Sequence, residues 1–268
     1  HRTILLIGKR GTGKSVLLED LLYHMRDRVD MGLAFTPTRD SRDMFEKHIP
    51  SSWVHDQFNG TKIDQLCAMQ RELASEKKRS LLLILDDMMA DKRVLKSIGI
   101  RDIFFNGRHE HITYISSQQY CLDMPPDLRS NIDYVFCLKC NILADRQRLW
   151  KYFFGMFDKF QDFCTVMDTV TANYGVMCLD NTIGSNELSD QISWYRAAQT
   201  FPDFKLGKPI FWKLHQRTVK SKEKMEAERQ DRQKLVQMAD RSKVRDRIVS
   251  VYKEDEHGNV IDESVELV

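Results

Sequence analysis

Apolar residues in the first half of the chain collect in short unbroken runs set between charged or glycine-bearing segments. "TILLI" (3–7), "GLAFT" (32–36), "LLLIL" (81–85), "ITYIS" (112–116) and "DYVFCL" (133–138) are too short for ordinary helices and do not alternate with polar residues as half-exposed strands would. They predict strands covered on both faces, the pattern of a parallel sheet. Between them the spacing lengthens. "SVLLEDLLYHM" (15–25) sets Val16, Leu17, Glu19, Leu21 and Leu22 where an amphipathic helix begins, and the stretch from Ile63 to Lys78 puts Ile63, Leu66, Cys67, Leu73 and Ala74 on one face. Residues 145–167 predict one more helix, whose stripe of Trp150, Phe153, Phe157, Phe160 and Cys164 reads as core. Strands alternating with helices predict an α/β fold, a mostly parallel central sheet flanked by helices.

The periodicity fails near Lys213, so the chain divides into a domain over 1–213 and a charged helical or partly disordered tail over 214–268. Residues 216–247 contain no Gly or Pro and carry eleven Lys or Arg against six Asp or Glu, which predicts an extended helix. Residues 248–268 hold six acids and one Lys, so net charge passes from +5 to −5 along the tail. A solvated appendage is the default for such a composition.

Composition adds limits more than identity. The 268 residues, 42% of them hydrophobic, suffice for one large domain with a buried core. The 41 basic and 39 acidic side chains leave a net charge of +2, which argues neither for nor against nucleic acid. No apolar run approaches the roughly 18–20 residues that span a bilayer. Six scattered cysteines, Cys67, Cys121, Cys137, Cys140, Cys164 and Cys178, are the usage of a reduced, intracellular protein. Cys137 and Cys140 stand three apart on a strand and point to opposite faces, which disfavours a shared zinc. The chain opens at His1 on its first strand without an initiating Met, so an upstream segment, with any targeting signal, is expected to have been trimmed.

Chemistry enters with "GKRGTGKS" (8–15), which fits G-x-x-x-x-G-K-[ST] between a predicted strand and a predicted helix. Glycines let backbone N–H groups turn inward as a nest, and the helix N-terminus adds partial positive charge, so the loop attracts a polyphosphate. Gly8, Lys9, Arg10, Gly11, Thr12, Gly13, Lys14, Ser15 and Val16 are the candidate nucleotide-binding residues. Lys14 would neutralise the β and γ phosphates, and Ser15 would offer its hydroxyl to Mg²⁺.

A second half of the site is predicted where "LLLIL" ends in Asp86 and Asp87. Asp86 is the candidate metal ligand, and Asp87 the acid that orients or deprotonates the attacking water. Ser117, Gln118 and Gln119 close the next strand, where amides are candidates to hydrogen-bond the γ-phosphate or the lytic water and so sense whether the phosphate is still present. Arg108 in "NGRHEH" is the candidate finger for a neighbouring subunit's site, with Arg129 in "PPDLRSNID" as its competitor.

On those residues, positions 1–200 resemble the genome-packaging ATPases of nucleocytoplasmic large DNA viruses, the poxvirus-type branch of the FtsK–HerA group. The marks are "GKRGTGKS", "FTPT" (35–38), "LLLILDD", "ISSQQY", "LRSNIDYVF" and the late "VMCLDNTIGSNELSDQISWYRA" with Trp194 and Tyr195. The resemblance implies a RecA-like P-loop core with an extra strand between the phosphate-loop and acidic strands, working as a ring around double-stranded DNA. It implies ATP and Mg²⁺ on Lys14, Ser15 and Asp86, water activation at Asp87, a sensor at Gln118 and a finger at Arg108. A capsid or portal-vertex protein is the implied partner, and the host cytoplasm at a viral factory, or the virion, the implied location. Many relatives carry Glu where this chain has Asp87, one methylene shorter, which leaves the base and outer-ligand roles both open.

The basic stretch "DKRVLKSIGIR" (91–101), with Lys92, Arg93, Lys96 and Arg101, is a candidate pore-facing DNA contact or an ordinary solvated helix. The same residues admit two rivals to the motor. A P-loop kinase would phosphorylate a small acceptor, and a nucleotide-gated assembly protein would bind ATP and oligomerise without driving transport.

Overall fold

β1 (Thr3–Ile7) lies inside an eight-stranded sheet and delivers the chain into the glycine loop. The protein is described from a computed structural model, over residues 1–88, 91–120, 124–185, 187–245, 248–254, 257 and 260–267. The sheet also contains β2 (Met31–Phe35), β3 (Val54–His55), β4 (Leu81–Asp86), β5 (Ile112–Gln118), β6 (Tyr134–Cys137), β7 (Val176–Asp180) and β8 (Ile192–Tyr195). Their order is β3-β2-β4-β5-β1-β6-β7-β8. Strands β1 to β6 pair in parallel, and β7 and β8 are added antiparallel. β5 is therefore inserted between the loop strand and the acidic strand. Register aligns the strand ends: Ile7 pairs with Gln118 and Asp86 with Ser117, so β1, β4 and β5 end level with one another.

The unbroken apolar runs are explained by two cores. Leu5, Ile7, Leu83, Leu85 and Tyr114 face one side of the sheet, and Ile4, Leu6, Leu82, Ile84 and Ile115 face the other. Side chains alternate across a strand, so only a sheet covered on both faces accommodates such sequences. On the second face pack α1 (Lys14–Met25), through Leu17, Leu18 and Leu22, and α2 (Arg39–His48), through Phe45. On the first pack α3 (Gly60–Glu72), α4 (Lys92–Lys96), α5 (Ile98–Asn106), α6 (Pro126–Arg129), α7 (Leu143–Phe153) and α8 (Phe160–Val170).

Two helices differ from their sequence reading. α3 starts earlier, where the Asn59 side chain accepts from the Lys62 N–H, and stops at Glu72 instead of Lys78 because Leu73 is extended. The predicted helix over 145–167 is two helices. Gly155 interrupts it, at a cost to helix of about 1 kcal/mol relative to Ala, and the Trp150 indole N–H donates to the Phe157 carbonyl at 3.0 Å across the break. The aromatic stripe remains core: Phe153, Phe154, Phe157 and Phe163 are buried.

Arg146 of α7 clasps Asp168 of α8, with Nη1 donating at 2.9 Å, and its Nε donates to the Cys140 carbonyl at 2.6 Å. The Arg146 hydrogen bond holds the Asp168 carboxyl below its usual value. A carboxyl with a depressed folded pKa stabilises the fold above its unfolded pKa, about 3.9, and that contribution disappears as pH falls through the lower folded value. Asp168→Asn should therefore lower the melting temperature at pH 7, and the gap from the parent should close below about pH 4 in circular-dichroism melts.

Beyond β8, which follows α9 (Leu188–Gln191), the chain reaches α10 (Pro209–Arg245), with Phe211 buried in the second core. The chain separates into units His1–His215 and Gln216–Val268. Within the second, β9 (Ile248–Glu254) pairs antiparallel with β10 (Val260–Leu267), where the sequence reading had a charged, partly disordered segment. Ile248, Val249, Val251, Tyr252, Val260, Ile261 and Val265 supply the β-branched and aromatic content that strands favour. Among the described residues no helix is long and apolar enough to cross a membrane. Among the described residues Cys67, Cys137, Cys140, Cys164 and Cys178 are buried and form no disulfide, and Cys121 lies outside the described residues.

Candidate active site

Gly8 leaves β1 with its N–H donated to the Gln118 carbonyl at 3.0 Å, extending the ladder by one rung. A Cβ there would sit 2.8 Å from Thr12 Oγ1 and 2.9 Å from Leu138 Cβ, so only glycine fits. Thr12 braces the loop by donating its hydroxyl to the Lys9 carbonyl at 2.7 Å. Gly11 and Gly13 then take φ of 79° and 95°, the left-handed region that costs glycine nothing, and Gly13 becomes the N-cap of α1. The first helical amides have no partner within the helix and are left to bind an anion. They open on a cavity of about 610 Å³, whose wall includes Lys9, Arg10, Gly11, Gly13, Lys14, Ser15 and Val16. Gly8 and Thr12 shape the loop from behind.

Because β4 ends level with β1, Asp86 and Asp87 reach the same cavity. Asp86 is 5% exposed; Thr36 Oγ1 donates to its Oδ2 at 3.1 Å and Ser117 Oγ donates to its Oδ1. Among the described residues no cation pairs with it. A buried carboxylate steadied by two neutral hydroxyls, with the Ser15 hydroxyl on the same cavity wall, fits a hard divalent cation. Adjacent strand residues ordinarily face opposite sides. Asp87 escapes that rule through a φ of 53°, a backbone state costing on the order of 1–3 kcal/mol. Its N–H donates to the Ser117 carbonyl at 3.0 Å, and its carboxylate accepts from Lys14 Nζ at 2.6 Å and from Gln119 Nε2 at 2.9 Å.

The opposite flank of the loop is built by β7 and β8. Asn173 and Tyr174, just ahead of β7, both have positive φ (50° and 60°), and Tyr174 lies against Gly13. The Trp194 indole N–H donates to the Val170 carbonyl at 2.9 Å, and the Tyr195 hydroxyl donates to buried Asp20 of α1. Burial and the Asp20 carboxylate raise the Tyr195 pKa, keeping that hydroxyl a donor. These contacts fix the end of β8, so that Arg196, Ala197 and Gln199 line the cavity.

A family model described as Poxvirus A32 protein matches residues 2–192 of this chain. The chain belongs to the poxvirus A32 family. Uncharacterized protein 088R of invertebrate iridescent virus 3 is 31% identical over 208 residues, covering 76% of this chain and 80% of that one. Uncharacterized protein 015R of frog virus 3 (isolate Goorha) is 31% identical over 197 residues, 72% of this chain; the match spans only 61% of that relative's length. Among solved structures, the genome packaging NTPase B204 from Sulfolobus turreted icosahedral virus 2, in complex with AMPPCP, is similar with a TM-score of 0.53 and 15% identity, over 74% of this chain and 98% of that one. This A32-family chain therefore shares the RecA-like P-loop fold.

Not every sequence-predicted residue of this A32 chain reaches the cavity. Gln118 is 4% exposed, is absent from the cavity wall, and its side-chain Oε1 has no partner among the described residues. Its neighbour Gln119 points outward to Asp87 instead, because the strand ends one residue earlier and the chain turns. Arg108 is ion-paired to Asp133, whose Oδ2 accepts the Thr3 N–H at 2.8 Å. That pair sits at the start of β1, about 16 Å along the strand from Gly8, so Arg108 is not part of its own chain's site. Arg129 lies 4.2 Å over the Tyr152 ring, also away from the cavity wall. In the basic stretch, Arg93 is clamped to Asp91 and Arg101 to Asp127, at 2.6 Å in each case; Lys96 is exposed, and the Lys92 side chain lies outside the described residues. Sequence pattern does not mark Thr36, Tyr174, Arg196 or Gln199 of the A32 chain as site residues. For Thr36 the "FTPT" strand end is the available sign; the others become neighbours only through the two antiparallel strands.

Proposed function

We propose that this chain is an ATP-hydrolysing motor that packages a double-stranded DNA genome into a viral capsid. The observation that carries the reading is the convergence of Lys14, Ser15, Asp86 and Asp87 on one cavity at the mouth of a glycine-bracketed loop. The loop amides and Lys14 hold the β and γ phosphates. Ser15 and Asp86 hold Mg²⁺, which when bound spreads charge from the phosphate oxygens. Once a triphosphate draws Lys14 away, Asp87 is left with Gln119, and the two orient the attacking water for in-line displacement. The left-handed backbone at Asp87 carries its short carboxylate toward the cavity, which supports the water-activating role over that of an outer metal ligand. A kinase gains nothing from a carboxylate and an amide placed to hold water. In this proposal Gln118 supports the γ-phosphate sensor from within the sheet, and Arg108, 60% exposed, serves a neighbouring subunit in a ring. A capsid or portal-vertex protein is the docking partner, in the infected cytoplasm or the virion.

ATP turnover measured with and without double-stranded DNA, beside a mass measurement with ATP bound, tests the reading. Stimulation by DNA together with a ring-sized mass is expected. Phosphate transfer to a small acceptor would replace it with a kinase, and slow turnover indifferent to DNA with an assembly protein. Charge reversal at Lys92 and Arg93 should reduce DNA-stimulated turnover severalfold and flatten its salt dependence by about one unit of slope for each phosphate no longer neutralised. Unchanged stimulation would remove that stretch from the DNA path.

A further inference from the structure

The cavity is wider than a phosphate cradle requires, and its far wall has a different chemistry. Sheet order sets β4, with Asp86 and Asp87, on one side of the loop strand and β7 and β8 on the other. The cavity has one wall at Thr38, Asp40 and Ser41 and another toward β7 and β8, and only the second offers an aromatic ring to a nucleotide whose terminal phosphate sits at the carboxylates. There the wall is made of Tyr174, Arg196 and Gln199. Tyr174 packs against the loop so closely that a Cβ on Gly13 would lie 3.4 Å from its Cδ1, yet the residue remains 64% exposed.

We infer that Tyr174 is the stacking platform for the nucleobase, with Gln199 and Arg196 supplying hydrogen bonds to its edge and to the ribose. This rests on the proposed nucleotide site and adds the part of the ligand that the loop does not contact. Aromatic faces stack any base, and a Gln amide offers both a donor and an acceptor to a purine edge. Backbone conformation supports the assignment independently. Asn173 and Tyr174 hold consecutive left-handed φ values without either being glycine, and such outliers persist only where surrounding structure imposes them, most often around ligands. The turn that holds them is closed by the Gly175 N–H, which donates to the Ala172 carbonyl at 2.9 Å, and Trp194 ties the end of α8 to β8.

The test compares binding of magnesium ATP with that of magnesium tripolyphosphate, which lacks the base, by isothermal titration. The full chain should bind ATP the more tightly. Tyr174→Gly should weaken ATP binding about tenfold and leave tripolyphosphate binding unchanged. Glycine accepts a φ of 60° without strain, so this variant should melt no lower than the parent. Tyr174→Phe, which retains the ring, should restore ATP binding. Parent-like ATP binding by Tyr174→Gly, or equal losses of ATP and tripolyphosphate, would overturn the platform. Tripolyphosphate bound as tightly as ATP by the unaltered chain would overturn it alone; binding of neither would overturn the nucleotide reading with it.

Discussion

Lys14→Ala is expected to abolish measurable ATP turnover, with kcat falling by about 10²–10³-fold or more, the scale of losing one preorganised donor to developing charge. Two effects act together. The variant removes the only lysine ammonium that the described cavity wall brings to Asp87, so the negative charge gathering on the terminal phosphate loses its compensation. It also leaves the Asp87 carboxylate, whose side chain is 19% exposed, without its counter-charge and facing an anionic ligand. Binding should weaken less than turnover, because the loop amides and the N-terminus of α1 remain. Steady-state rates and equilibrium binding on the same preparation separate the two, and turnover near the parental rate would end the ATPase assignment.

Asp87→Asn should trap bound ATP. Asparagine has nearly the same shape, tolerates the left-handed backbone that Asp87 adopts at φ 53°, and keeps an oxygen able to accept from Lys14. Folding and nucleotide binding are thus expected to survive. What disappears is a carboxylate that can take a proton from water, a contribution of about 10²–10⁴-fold. Rapid quench of a single turnover should recover intact ATP from the protein after the parent has converted it to ADP. Recovery of ADP at the parental rate would move Asp87 out of the catalytic step. The contrast with Lys14→Ala is informative: one variant should hold its nucleotide, and the other should hold it poorly and leave it unhydrolysed.

Much of the site is legible because its parts are contiguous in sequence. Gly8 through Ser15 announce a phosphate loop by spacing alone, and "LLLILDD" announces a buried strand ending in acid. The backbone turn that brings both acids to one cavity is not legible. Alternation along a strand predicts that Asp86 and Asp87 diverge, and only the reversed φ at Asp87 turns both into one cavity. The same limit applies at the end of β5, where the exit from the strand buries Gln118 and presents Gln119 to Asp87. Arg108 is exposed, but its distance from its own site comes from the Asp133 pairing at the strand's other end.

By itself the sequence determined the α/β class, the phosphate loop, the acidic strand and the family to which the chain belongs, because these depend on residue type at short range and on periodicity. Tertiary structure alone decided the antiparallel placing of β7 and β8, the division of the aromatic helix at Gly155, and the wall formed by Tyr174, Arg196 and Gln199. The physical reason is that β1 pairs with β5 and β6 across more than a hundred residues, and the cavity wall joins Gly13 to Tyr174 and Arg196 across still more. Such closeness is settled by burial of both sheet faces at once, a property of the packed whole that no local window contains.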